Sequence, residues 1–144
     1  MTDVQALRDA RAARKAELRA KRDEQEARDL EAIDALEVEH GDDSIDASLR
    51  VKAWRAGLPF MLAARRANPN EVKRYQARVR PNKQGDAPDT AAAAIEAGKS
   101  CMVYPPRDSE LRSELETLGD GIFAALGVAA INLASVEAEA EGKE

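Results

Sequence analysis

Along this chain the apolar positions pass from a sparse helical stripe, to a short continuous run, to dense helical faces. Residues 3–39 contain neither Gly nor Pro and are rich in Ala, Arg, Glu, Lys and Leu, which predicts one long helix. Thr2 or Asp3 can cap its start, and Gly41 after His40 is a stop signal. The apolar stripe is thin at Val4, Leu7 and Leu18. It is better later, where Ala27, Leu30, Ile33 and either Leu36 or Glu37 recur at three- and four-residue spacings. Arg11, Arg14 and Lys21 interrupt a strict heptad seam, so two readings stay open. One is an isolated or partner-docked helix; the other is a self-associating coiled coil.

Residues 41–48 carry Gly and Asp turn signals and read as a polar connector, followed by a short helix over Leu49–Ala56 that carries Trp54. Pro59 favours an extended Leu58. The run Phe60–Ala64 before Arg65 and Arg66 has the length and flanks of a strand of about six residues, although periodicity alone does not separate it from a buried helical turn. Asn68-Pro69-Asn70-Glu71 is the clearest local signal. Asn68 is the N-cap, Pro69 sits at N1 where its missing N–H is not needed, and Glu71 at N3 can reach back to the cap. The helix Glu71–Arg80 stops before Pro81, and residues 81–89 read as a loop. An Ala-rich helix over Thr90–Lys99, capped by Asp89, runs into the apolar segment Ser100–Tyr104. Asp108 or Ser109 caps a helix through Leu118 with Leu111, Leu115 and Leu118 on one face. Gly119 and Gly121 break it before the most apolar helix, Ile122–Ser135, where Gly127 can permit close helix packing.

The expected fold is therefore mainly α. A long charged N-terminal helix (1–41) and a linker with a short helix (42–57) precede a small helical domain with one or two short strands (58–135). A disordered acidic tail (136–144) follows. Aromatics are 3% of residues and much of the 44% apolar content is alanine, so the core is thin and helices must approach closely. The single cysteine, Cys101, cannot form an internal disulfide, which fits a reducing cytoplasm and a small buried residue. No apolar run reaches the ~18 residues a membrane span needs, and the N-terminus shows no apolar signal region.

Charge sharpens this picture. The net charge of −5 resolves into blocks of +5 over residues 8–22, −10 over 23–46, +9 over 50–83 and −8 over 84–144. Opposite blocks attract within or between chains, and the two halves of the first helix suit antiparallel pairing. The +9 block, with Arg65, Arg66, Lys73, Arg74, Arg78 and Arg80 beside Tyr75, could serve nucleic acid. Overall acidity and the lack of a nucleic-acid motif favour pairing with the −10 block or an acidic partner instead. Arg65, Arg66, Lys73, Arg74 and Arg78, with Leu126 and Ile131 of the last helix, are the candidate partner contacts.

Candidate chemistry is sparse. His40, the only histidine, sits at a helix end, where its cation suits the dipole. One His and one Cys are too few for a conventional zinc site, and Asp42, Asp43 and Asp46 lack the ligand spacing of a calcium loop. No phosphate-binding glycine loop occurs. The expectation is a non-enzymatic protein without cofactor or metal.

From Leu58 to Ser135 the layout resembles the tail assembly chaperones of long-tailed phages and prophages. The segments that carry the resemblance are the strand Phe60–Arg66, the helix start Asn68-Pro69-Asn70-Glu71, the segment Cys101-Met102-Val103-Tyr104-Pro105, and the Leu118-Gly119 break before the last apolar helix. The long charged helix before residue 40 departs from that pattern, as does Arg66-Ala67-Asn68-Pro69 where the family commonly has Arg-Pro. The resemblance implies a protein of the host cytoplasm, or one carried with the virion. It would cover the apolar helices of a tape-measure protein until the tail tube polymerises. Two other classes stay in view: a structural virion or adaptor protein that oligomerises through its N-terminal helix, and a nucleic-acid-binding module using residues 50–83.

Overall fold

The computed structural model describes residues 3–41, 43–80 and 89–142, with side chains as far as Ser135. The chain is mainly helical, in the order α1 (Asp3–His40), β1 (Ile45–Arg50), β2 (Met61–Arg65), α2 (Pro69–Val79), α3 (Thr90–Cys101), β3 (Met102–Tyr104), α4 (Glu110–Glu116) and α5 (Gly121–Gly142). The strands form one antiparallel sheet in the order β1-β2-β3.

The sheet lies between two helical layers, which explains the uninterrupted apolar run of β2. On one face Met61 and Ala63 join Ile45, Tyr104 and Ile33 of α1. On the other, Leu62 and Ala64 join Cys101, Leu115, Phe123, Leu126 and Ala130. Successive β2 side chains point to opposite faces, and both faces are covered, so all of Met61–Ala64 must be apolar.

The helix starts follow the sequence closely. Asn68 Oδ1 accepts from the Glu71 N–H at 2.8 Å, and the Asn68 N–H donates to Glu71 Oε1 at 2.9 Å, closing a reciprocal box with Pro69 at the first turn. Asp89 caps α3 and Ser109 caps α4 through their side chains. Gly41, at φ 101°, ends α1 with its N–H on the Glu37 carbonyl. Residues 81–88 of the expected loop lie outside the described residues.

Four expectations are corrected. First, Ile45–Arg50 is a strand, and no helix spans Leu49–Ala56, so the sheet has three strands rather than one or two. Ile45, Ala47 and Leu49 alternate with Asp46, Ser48 and Arg50, a period-two pattern that suits a strand. A bulge between Asp46 and Leu49 is held by Asp46, whose Oδ1 accepts from the Ser48 N–H at 2.9 Å. Second, residues 45–50, expected as part of a linker, pair with β2 in the sheet. Third, α5 passes Ser135 and continues to Gly142, because Ala and Glu extend a helix readily; residues 143–144 lie outside the described residues.

The fourth concerns α1. Of the expected face Ala27, Leu30, Ile33 and Leu36 or Glu37, Ile33 and Leu36 face the sheet, whereas Ala27 and Leu30 do not. The buried positions are Gln25, Asp29 and Ile33, with Leu36 partly buried, and Leu30 is exposed. Asp29 is fully buried and anchors the helix. It accepts from the Phe60 N–H at 2.7 Å, the Met61 N–H at 2.9 Å, Gln25 Nε2 at 2.8 Å and the Tyr104 hydroxyl. These donors satisfy the carboxylate away from water, as a buried charge requires. Burial, and then the contact with Asp29, raises the Tyr104 pKa.

α3 and α5 cross in backbone contact. A Cβ on Gly98 would lie 1.7 Å from the Phe123 carbonyl oxygen, and one on Gly127 would lie 1.9 Å from that of Ala94. Small residues at 93, 94, 97, 98, 127 and 130 make this approach possible and stand in for the large side chains the chain lacks.

Candidate functional site: a cationic–aromatic cleft beside the long helix

Most cations of the +9 block are engaged within the chain. Arg65 forms a two-pronged pair with Glu71, Nη1 to Oε1 at 2.8 Å and Nη2 to Oε2 at 3.1 Å. Arg74 and Arg78 both reach Glu96 of α3. Lys73 is exposed, and Arg66 is partly buried with its N–H on the Ser44 carbonyl. Leu126 and Ile131 are inside the core, where they offer a partner no open surface. The structure thus brings Arg65, Arg74 and Arg78 together around α2 and α3, while Leu126 and Ile131 are buried in the core.

Glu71 is the hub of this region. Besides capping α2 and pairing with Arg65, it accepts from the Ser100 hydroxyl and lies 3.5 Å from Cys101 Sγ. The Arg65 hydrogen bonds, with those from the Asn68 N–H and Ser100, outweigh desolvation and hold its pKa near 2. Burial pushes the Cys101 thiol up to about 12, so it is not a nucleophile at neutral pH. The cavity beside these groups holds about 20 Å³, room for roughly one water. Its neighbours serve one another, which gives this cluster a structural role.

A larger feature lies under the N-terminal half of α1. Lys15, Leu18, Arg19 and Arg22 of α1 face Arg50, Val51, Lys52 and Trp54 of the β1–β2 connection, with Phe60 at the base. They line an open cleft of about 520 Å³ that contains five cations and no carboxylate. The Arg22 guanidinium lies 5.3 Å from the centre of the Phe60 ring, a cation–π contact. Trp54 is fixed by its indole N–H on the Leu58 carbonyl at 2.8 Å. Like charges held this close repel one another, so an anionic group in the cleft is stabilised there.

Above the cleft, α1 outruns the rest of the chain. Residues 3–21 are exposed throughout. Stepping back from the docked residues Ile33, Asp29, Gln25 and Arg22 by three or four positions reaches Leu18, Lys15, Arg11, Leu7 and Val4. The core-facing stripe therefore continues beyond the core, with Val4 56%, Leu7 69% and Leu18 46% exposed. Sequence reasoning named these residues as a thin stripe but had no signal that the loop carrying Trp54 would close a cleft against it.

No protein-family model, curated protein or solved structure matches the chain. Among the described residues, no single helix is long and apolar enough to cross a membrane, and no group of three or more His, Cys, Asp or Glu could hold a metal ion.

Proposed function

We propose that this chain is a non-enzymatic assembly factor of the phage tail assembly chaperone type. It acts in the bacterial cytosol and keeps the apolar helices of a tape-measure protein dispersed until the tail tube encloses them. The observation that carries the reading is the convergence of three separate segments on Glu71. Arg65 from the β2 strand, the Asn68 N–H from the helix start and Ser100–Cys101 from the segment before the Tyr104-Pro105 pair all contact that one carboxylate. These segments carry the family resemblance, and they form one physical unit rather than scattered short matches.

The test is co-expression with the product of a long, helix-rich reading frame next to this gene. The expected result is more soluble partner and its co-purification with this chain. A partner that stays insoluble and does not co-purify refutes the reading. A second reading, a structural virion or adaptor protein, is favoured by the exposed N-terminal half of α1. The nucleic-acid reading loses support, because Arg65, Arg74 and Arg78 are paired with carboxylates. Complete absence of salt-sensitive retardation of DNA or RNA would remove it.

A further inference from the structure

We infer that the cleft between α1 and the β1–β2 connection binds a single strand of nucleic acid, with phosphates on its cations and a base against Trp54. The inference is independent of the chaperone reading, and it uses none of the arginines that are paired around α2.

The cations of the cleft are available to a ligand. Lys15, Arg19 and Lys52 are exposed and form no ion pair or hydrogen bond among the described residues. Arg50 donates to the Ala47 carbonyl at 2.6 Å and keeps its other guanidinium N–H groups. Arg22 lies 3.7 Å from the Asp23 carboxylate, but the two side chains are 41% and 62% exposed, so this pair is weak and leaves room for a phosphate.

The positive surface continues past the cleft. At about 100° per residue, Arg8, Arg11 and Lys15 all lie within about 40° of Arg22 around α1, and the first three are exposed. From Arg8 to Arg22 this row rises roughly 21 Å at about 1.5 Å per residue. The acids of the same stretch, Asp9 and Glu17, are turned about 140° away from Arg22. There Asp9 accepts from Gln5 and Glu17 pairs with Lys21. From Asp23 onward the helix is acidic, which bounds the site at that end. The row is a track for a linear polyanion that is longer than the cleft itself.

Two features select the kind of polyanion. The Trp54 ring lines the cleft and is held by its N–H on the Leu58 carbonyl, so a stacking platform is in place before any ligand arrives. A duplex keeps its bases stacked on one another and offers only phosphates, whereas a single strand can turn a base onto that ring. An acidic amphipathic helix needs an apolar seam instead. Of the two aliphatic side chains lining the cleft, Leu18 is exposed and Val51 is buried, which is too little for a seam.

The chain has one tryptophan, so its fluorescence reports on Trp54 alone. The test titrates the full chain with an oligothymidine of about 12 nucleotides, following tryptophan quenching and the anisotropy of a labelled oligothymidine across salt. Quenching is expected at low salt. The log of the association constant should fall with log salt at a slope of about −3, as four or five phosphate contacts require. Arg19→Ala with Lys52→Ala should bind more weakly, with a slope shallower by about 1.4. Both positions are exposed, so folding should be retained, and circular dichroism checks this. Lys73→Ala, which removes an exposed cation of α2, should bind as the wild type does. Absence of salt-sensitive binding overturns the inference, as does binding that leaves tryptophan fluorescence unchanged or that the double variant retains in full. A duplex of the same length that binds as tightly overturns the stacked base. Displacement by an equal concentration of ATP overturns the strand in favour of a free nucleotide. A peptide of repeated Glu and Leu that quenches Trp54 where the oligothymidine does not overturns the inference too, and makes the cleft a peptide site.

Discussion

Replacing Gly98 by alanine tests the close backbone approach of α3 to α5. The new Cβ would lie 1.7 Å from the Phe123 oxygen, 2.6 Å from its carbonyl carbon and 3.0 Å from the Gly127 nitrogen. These are backbone atoms of a helix, so no rotamer change relieves the clash. To bring the nearest distance to a tolerable value, α3 and α5 must separate by roughly 1.5 Å, and the side chains between them lose part of their dispersion contacts. Overpacking typically costs about 1–3 kcal/mol, and a rigid obstacle places this site at the upper end. Opposing it, alanine gains about 1 kcal/mol of helix propensity over glycine. The net loss expected is on the order of 2 kcal/mol. With a urea m-value of about 1–2 kcal/mol per M for a chain of this size, the midpoint should fall by about 1–2 M. Gly127→Ala should behave alike, since its Cβ would lie 1.9 Å from the Ala94 oxygen. The double variant should cost less than the sum, because one separation of the helices accommodates both methyl groups. Gly121→Ala is the control, having nothing within 4 Å of its Cβ. If Gly98→Ala is as stable as that control, the backbone contact is not what holds α3 against α5.

Four further outcomes are expected. Asp29→Ala should cost roughly 3–5 kcal/mol, since it strands the Phe60 and Met61 N–H groups and the Tyr104 hydroxyl; hydrogen exchange should show those two amides losing protection first. Glu71→Gln should flatten the acid limb of the stability curve. The folded pKa is near 2 against an ordinary 4.5, so the stabilisation is complete above about pH 4.5 and lost as the pH falls toward 2; urea midpoints at pH 7, 4 and 2.5 check it, and parallel curves for the two proteins would refute it. Cys101 should resist thiol reagents at pH 8 in the folded state and react only in denaturant, because it is buried and its pKa is raised to about 12. Arg112→Met should be neutral or stabilising by thermal melting, because the guanidinium is buried with its Nε lacking an acceptor and its pKa lowered by that burial.

Local signals carried much of the fold. The Asn68–Glu71 box, the Asp89 and Ser109 caps and the Gly41 stop depend on neighbours in sequence, and each occurs as its residues predict. The strand β2 was legible because its whole apolar run is buried between two layers. The strand β1 was obscured by the acidic turn before it and by the bulge after Asp46, although its residues alternate apolar and polar in sequence. The cleft was not legible, since it forms between residues 15–22 and 50–60 and depends on how a ten-residue connection folds back against α1.

The misplaced face of α1 has a specific physical cause. Hydrophobic periodicity locates a docked face only when docking is apolar, and here the central docked residue is a carboxylate. Asp29 holds α1 to the sheet through the Phe60 and Met61 N–H groups at the start of β2. In the sequence Asp29 is one of eleven acids in the −10 block, indistinguishable from its solvated neighbours. Glu71 poses the opposite case, as the sole acid in the +9 block. A lone opposite charge inside a dense block is placed where several cations and donors compete for it. Glu71 gathers Arg65, Asn68 and Ser100 for that reason. The cleft draws its five cations from two blocks, Lys15, Arg19 and Arg22 from the first and Arg50 and Lys52 from the second, and Arg22 among them lies 3.7 Å from the Asp23 carboxylate.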